Sequence, residues 1–277
     1  MTVCINGKIY SDKEATVPFL DHGYLYVDGA FATLRTYNQK LFRIKEHLGR
    51  LFESCKLINL KIPYSRIKII NWTTRCYGKS KLKEARIRIQ VTRGAGEVPI
   101  DKTKTCKPII SILVSALPTY NPKNYEKGVK VITVKMERTI PKSKNLNFLP
   151  SIMAILKAQK ENAFEAILLD SDGFATEGTT SNIFIVKNGV LITPSTEILE
   201  GVTRKVVLEL AKKEKVKTKL KNLKTTELFK ADEIFLTGTT KEIVPVIRIN
   251  NKKVNKGKIG SITRTLTEAF QTYVKAY

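Results

Sequence analysis

Three asparagine-led turns, Asn6-Gly7, Asn188-Gly189 and Asn250-Asn251, each sit between short stretches with strand character. Loops of this kind close antiparallel hairpins, because asparagine and glycine accept the left-handed backbone that matches the twist of paired strands. Between the hairpins lie runs with the spacing of helices. Ile44, Leu48, Leu51, Phe52, Cys55 and Leu57 recur at helical intervals until Pro63 stops the pattern, Val202, Val206, Val207 and Leu210 form a second stripe, and Ile262, Leu266, Phe270 and Tyr273 a closing one. Hairpins rule out a purely parallel sheet and the stripes rule out an all-β chain. The fold class is therefore α/β in the mixed, α+β sense.

A chain of 277 residues, 42% of them hydrophobic, is long enough for two ordinary domains. The segment SALPTYNPKNYEK has the proline, asparagine and tyrosine content of a connector. It separates a smaller N-terminal half, residues 1–117, from a larger C-terminal half, residues 129–277, with 118–128 as the linker. In the first half, Ala85 to Thr92 alternates strictly, with Ile87, Ile89 and Val91 on one face and Arg86, Arg88 and Gln90 on the other. A loop is expected from Arg93 through Gly96. In the second, Val129 to Val134, Ala166 to Leu169 and Ile183 to Val186 read as strands, and an amphipathic helix follows Pro150.

Forty-nine basic residues against 25 acidic ones give a formal charge of +24. The lysines are spread singly among apolar residues, the pattern of a solvated surface rather than a basic tail. No nucleic-acid-binding module accompanies the charge, so nucleic acid is not the expected partner, while anionic metabolites and phosphate-bearing cofactors are favoured. Four cysteines without a CxxC pair and only two histidines argue against a metal site and a disulfide framework. No stretch has the length of a membrane span and the N-terminus has no apolar leader, so the expected compartment is the cytoplasm.

The segment from Met136 to Phe184 carries the chemistry. Lys144 stands in a polar, turn-rich stretch, Asn147 follows three residues later, and Glu177 begins the run Glu-Gly-Thr-Thr-Ser-Asn, read as a turn. Taken singly, the lysine is a surface residue in a lysine-rich chain and the glutamate a turn residue in water. Their setting changes that. The blocks DHGYLYVDGAFATLR, EHLGRLFES, RIRIQVTRG, KNLNFLPS, EAILLDSDGFATEGTTSNIF, GVTRKVVLELA and ADEIFLTGTTKEIVPV occur here in the order in which the class IV, fold type IV, pyridoxal-phosphate aminotransferases carry them. The chain resembles that family over nearly its whole length, and within it the branched-chain amino acid aminotransferases most.

The resemblance implies a two-domain enzyme with pyridoxal 5′-phosphate between the halves and Lys144, on the larger half, as the lysine that forms an imine with the cofactor and shuttles the proton. Glu177 matches the acid that pairs with the pyridine nitrogen. Arg50, the amides of Val202 and Thr203 at a helix N-terminus, and Thr239 match the phosphate ligands. Phe31, Arg35, Arg88 and Thr240 fall at substrate positions. Amino acids and 2-oxo acids are the implied partners, with a homodimer as the implied assembly. This chain departs from the branched-chain pattern at Ala32, where a glutamate is common, and at Arg86 and Phe148, where tyrosines are. It also lacks, between Arg93 and Val98, the Arg-x-His of familiar D-amino acid enzymes. An aminodeoxychorismate lyase and a D-amino acid aminotransferase are the alternative readings.

Overall fold

A computed structural model describes residues 1–277, with every side chain except that of Lys102. The chain packs as two compact units. One comprises Met1–Pro118, Ser143–Asn147 and Tyr277, and the other Thr119–Lys142 and Phe148–Ala276.

The first unit is a six-stranded antiparallel sheet with helices against its apolar face. Its strands are β1 (Thr2–Ile5), β2 (Lys8–Ser11), β3 (Gly29–Tyr37), β4 (Lys40–Leu41), β5 (Arg86–Ala95) and β6 (Lys107–Ser115), in spatial order β2-β1-β6-β5-β3-β4. Its helices are α1 (His22–Tyr26), α2 (Ile44–Leu57) and α3 (Arg66–Ser80). The Asn6-Gly7 turn has both residues in the left-handed region, as the hairpin requires. Alternation along β5 sends Ile87, Ile89 and Val91 into a core shared with Leu48, Leu51 and Cys55 of α2 and Ile69, Trp72 and Cys76 of α3. Arg86, Arg88 and Gln90 face the other way and are only half-buried. The loop expected from Arg93 is instead a continuation of β5 through Ala95 across a bulge. Gly94 makes this possible: its φ is +86° and a Cβ there would lie 1.7 Å from the Lys107 carbonyl oxygen.

The second unit holds a ten-stranded mixed sheet. Its elements are α4 (Lys123–Glu126), β7 (Val129–Lys135), α5 (Leu149–Lys160), β8 (Glu165–Leu169), β9 (Phe174–Gly178), β10 (Asn182–Lys187), β11 (Val190–Thr193), α6 (Val202–Lys213), β12 (Thr218–Leu220), β13 (Leu223–Lys224), α7 (Thr225–Phe229), β14 (Glu233–Gly238), β15 (Glu242–Ile249), β16 (Lys252–Lys253) and α8 (Ser261–Lys275). Strand order is β12-β11-β10-β14-β15-β7-β8-β9-β13, with β16 on β15. The pairs β7/β8 and β7/β15 are parallel and the β10/β11, β10/β14 and β14/β15 pairs antiparallel, the mixture that the hairpin count requires. Val131, Ile167, Ile183, Ile185, Ile234, Leu236 and Val244 build the main core.

The segment expected as a linker, residues 118–128, contains α4, and Tyr125 packs against the second unit's core. Two expectations are corrected. Glu177 is the fourth residue of β9 rather than the start of a turn. The lysine segment, expected on the C-terminal half, groups with the first unit, because Ser143–Asn147 lies along the edge of β3. There Phe31 N donates to Lys144 O (2.9 Å), Leu146 N donates to Gly29 O (3.0 Å), and Ala30 bridges Asn145. Among the described residues no helix is long and apolar enough to cross a membrane.

Candidate active site

In the first unit, Lys144 is held by its backbone. Its N–H donates to Ser54 Oγ (2.9 Å), and the neighbouring Ser143 Oγ donates to Ser54 O (3.2 Å). Ser54 and Ser143 are both fully buried. Gly29 permits the approach of this segment, since a Cβ there would lie 2.4 Å from Val91 O and 2.7 Å from a methyl of Leu146. With the main chain fixed, the Lys144 ammonium rests 4.6 Å from the centroid of the Phe31 ring, and the Arg88 guanidinium 3.8 Å from that centroid. Cation–π attraction of this kind is strongest where water is scarce.

Arg50 lies on the same edge of α2 as His47 and Ser54, at spacings of three and four residues. His47 is 1% exposed, and its Nδ1 has no hydrogen-bond partner among the described residues. Burial, then the positive charges of Arg50 and Lys144, push its pKa well below the usual histidine range, so the imidazole is neutral. The electrostatics thus bring Arg50 and Lys144 around one buried histidine. Sequence reading missed both His47 and Ser54. Their signal was a pair of polar residues at helical spacing beside an apolar stripe, the edge on which Arg50 also lies.

Arg35 shares the polar face of the sheet with Phe31 and Arg88. It stacks 4.1 Å from the centroid of Tyr37 and stands directly opposite Arg86 in the β3/β5 register. Arg88 donates to Gln90 Oε1 (3.0 Å). Burial and the neighbouring Arg86 push the Arg88 pKa down to about 10. Like charges directly opposed on a sheet destabilise it. Arg93, by contrast, is consumed structurally: it pairs with Asp28 and donates to the carbonyls of Ile58 (2.9 Å) and Asn59 (3.1 Å).

In the second unit, Glu177 is buried with both oxygens oriented. Oε1 accepts from Arg138 Nη1 (2.7 Å) and Oε2 from the Leu199 amide (3.1 Å). Arg138 also donates to Pro141 O (3.1 Å), so it is a fixed cation that keeps a carboxylate in place. Sequence reading overlooked it because a separation of 39 residues hides the pairing. The N-terminus of α6 presents the amides of Val202 and Thr203, two buried residues, and among the described residues no side chain caps it. Its N-cap is Gly201, where a Cβ would meet Asn182 Oδ1 at 2.0 Å. That asparagine is anchored in turn, donating from Nδ2 to Leu199 O (2.7 Å). Thr239 and Thr240 stand in the β14/β15 loop, where Thr240 Oγ1 is 3.0 Å from the Tyr120 hydroxyl.

One unit therefore holds a lysine, an arginine and an aromatic ring close together, and the other an oriented carboxylate and a helix N-terminus with no side-chain cap. The class IV amino-transferase family model matches residues 29–249. A putative branched-chain-amino-acid aminotransferase of Methanocaldococcus jannaschii is 41% identical over 98% of this chain and 96% of its own. A D-alanine aminotransferase of Staphylococcus epidermidis is 32% identical over 99% and 98%. The solved branched-chain amino acid aminotransferase of Thermobaculum terrenum, in its PLP-bound holo-form, superposes with a TM-score of 0.89 at 25% identity, covering 99% of this chain and 94% of that one. The chain belongs to the class IV aminotransferases, enzymes whose cofactor is pyridoxal 5′-phosphate.

The residues present fit that group. A helix N-terminus without a side-chain cap leaves donors for a phosphate. Two buried hydroxyls, Ser181 Oγ and Thr237 Oγ1, have no partner among the described residues, the mark of a site made for a polar ligand.

Proposed function

We propose that Lys144, Arg50, Glu177, Val202, Thr203 and Thr239 hold pyridoxal 5′-phosphate, and that the enzyme transfers the amino group of a hydrophobic or branched-chain L-amino acid to 2-oxoglutarate. When bound, the cofactor supplies a carbonyl carbon that takes up and releases the amino group and a ring that accepts the electrons of the broken Cα–H bond. Lys144 Nζ carries the proton away from the substrate Cα and returns it during the second half of the cycle. Glu177, fixed by Arg138 and Leu199, keeps the ring nitrogen protonated. Arg50 and the first-turn amides of α6 neutralise the phosphate.

The observation that carries the substrate assignment is the Phe31 ring, with Lys144 on it at 4.6 Å and Arg88 at 3.8 Å. One apolar surface and one guanidinium beside the same lysine suit two substrates in turn. An aliphatic side chain packs on the ring, and the distal carboxylate of 2-oxoglutarate pairs with Arg88. Thr240, fixed by Tyr120, and Arg35 border the same pocket in this reading.

Mixing the holoenzyme with L-leucine and following the cofactor spectrum tests it. Conversion to the amine form, reversed by 2-oxoglutarate, is expected. D-alanine acting faster than L-leucine would favour the D-amino acid reading, which the 32% identity to a D-alanine aminotransferase keeps in play. Release of pyruvate from a chorismate-derived amine with no half-reaction would favour the lyase.

We also propose a homodimer. Leu149, Ile152, Met153 and Leu156 line one face of α5 and are exposed, as are Phe19 and Tyr24. Contiguous exposed apolar faces mark interaction sites. Light scattering should give twice the 31.3 kDa chain mass. A cytoplasmic location completes the proposal.

A further inference from the structure

An ion pair lies in the interior of the second unit, formed by Glu165 and Lys241. Glu165, on β8, is fully buried, and the Lys241 side chain is only 12% exposed. Lys241 Nζ donates to Glu165 Oε2 and to Thr180 Oγ1 (2.7 Å). The other carboxylate oxygen, Oε1, accepts from Thr179 Oγ1 (2.9 Å), the Thr180 amide (2.6 Å) and Thr180 Oγ1 (3.2 Å). Burial pushes the Glu165 carboxyl up, but the charge and hydrogen bond of Lys241, together with the hydrogen bonds from the Thr180 amide and Thr179 hydroxyl, outweigh it, and the pKa lies below the usual glutamate range. Taking both charges out of water is costly, and nothing in the proposed chemistry uses them directly.

What the pair joins gives it a purpose. Thr179 and Thr180 follow Glu177 and Gly178, while Lys241 ends the three-residue loop Thr239-Thr240-Lys241, closed by the Gly238/Glu242 pairing. Glu242, the strand residue that closes the loop, is held at φ +59°, a left-handed conformation costly for a residue with a Cβ, so the loop needs outside support. Lys241 provides it through its side chain, and through its carbonyl, which accepts from the Tyr125 hydroxyl (3.2 Å). Two buried hydroxyls have no partner among the described residues: Ser181 Oγ, on the turn, and Thr237 Oγ1, on β14 two residues before the loop.

We propose that Glu165 and Lys241 are positioning residues that lock the Thr179–Ser181 turn to the Thr239–Thr240 loop and so set the affinity of the site for the cofactor's phosphate. The inference rests on the assignment of Thr239 as a phosphate ligand.

The test compares binding of pyridoxal 5′-phosphate and of pyridoxal, which lacks the phosphate, to the cofactor-free protein and to Lys241→Met and Lys241→Arg variants. Loss of one charge-assisted hydrogen bond should raise the Kd of Lys241→Met for the phosphate ester about tenfold, with the Kd for pyridoxal changed less than about threefold. Lys241→Arg should restore most of the preference. A purely structural role would weaken both ligands together. If Lys241→Met does not fold, the neutral double variant Glu165→Gln/Lys241→Met serves, with the same loss of preference expected. A wild-type protein that prefers the phosphate ester and variants that keep that preference overturn this proposal alone. A wild-type protein that binds the two equally overturns the phosphate assignment and this proposal with it.

Discussion

Replacing His47 by glutamine isolates a single titration and measures how strongly the first unit opposes a charge beside Lys144. His47 is buried with two cations for neighbours, so its folded pKa lies well below the ordinary value of 6.5. The unfolded chain binds the proton near that ordinary value and the folded chain does not. The unfolded state therefore holds more protons as pH falls below it, and stability declines with falling pH until the folded pKa is reached. Between about pH 7.5 and about pH 5.5 a fully depressed site costs about 1.4 kcal/mol. Trp72, the chain's single tryptophan, sits in the core that α2 shares, so its fluorescence during urea unfolding reports on the unit that contains His47. Other groups titrate in both proteins alike, so the difference between wild type and His47→Gln isolates this one. The wild-type, cofactor-free protein should lose about 1.4 kcal/mol more than the variant over that interval. Equal losses would mean that His47 is charged in the folded state, and the picture of a neutral imidazole between Arg50 and Lys144 would be wrong.

Other perturbations test separate parts of the site. Gly201→Ala should weaken binding of the phosphate-bearing cofactor by about tenfold or more, because its Cβ would meet Asn182 Oδ1, whose side chain is itself anchored; equilibrium titration of the cofactor-free protein checks this. Arg88→Gln should raise KM for 2-oxoglutarate about tenfold or more while leaving that for a monocarboxylic branched-chain oxo acid nearly unchanged, read from steady-state rates with each acceptor. Cys55 and Cys76 have thiols pushed up to about 12 by burial, and Cys4 is raised in the same way. At about pH 8 a thiol-specific reagent should therefore label the half-buried Cys106 first and the other three only after denaturation, as followed by mass spectrometry.

The elements were legible wherever periodicity and turn chemistry coincided. Asn6-Gly7 closes a hairpin because both residues take the left-handed backbone, and β5 buries Ile87, Ile89 and Val91 because alternation leaves no other face apolar. The limits came where tertiary contacts decide. Gly94 reads as a strand breaker in sequence, yet it carries β5 over a bulge because the Lys107 carbonyl leaves no room for a Cβ. Ser143–Asn147 was assigned by its place in the chain, whereas its hydrogen bonds to β3 and Ser54 put it with the first unit. In the candidate site, the residues with recognisable motifs could be named from sequence: Lys144, Glu177 and Arg50. Their supports could not. Arg138, His47, Ser54 and the Glu165–Lys241 pair act across tens of residues, and a buried ion pair leaves no periodic trace in the residues between its partners.

The central claim is that Lys144 carries the cofactor. Reducing the pyridoxal-phosphate-loaded enzyme with borohydride and mapping the labelled peptide by mass spectrometry tests it most directly. The account predicts one stable phosphopyridoxyl group, on Lys144, and none on Lys144→Ala. A label on Lys142, or an undiminished label on the alanine variant, would contradict it.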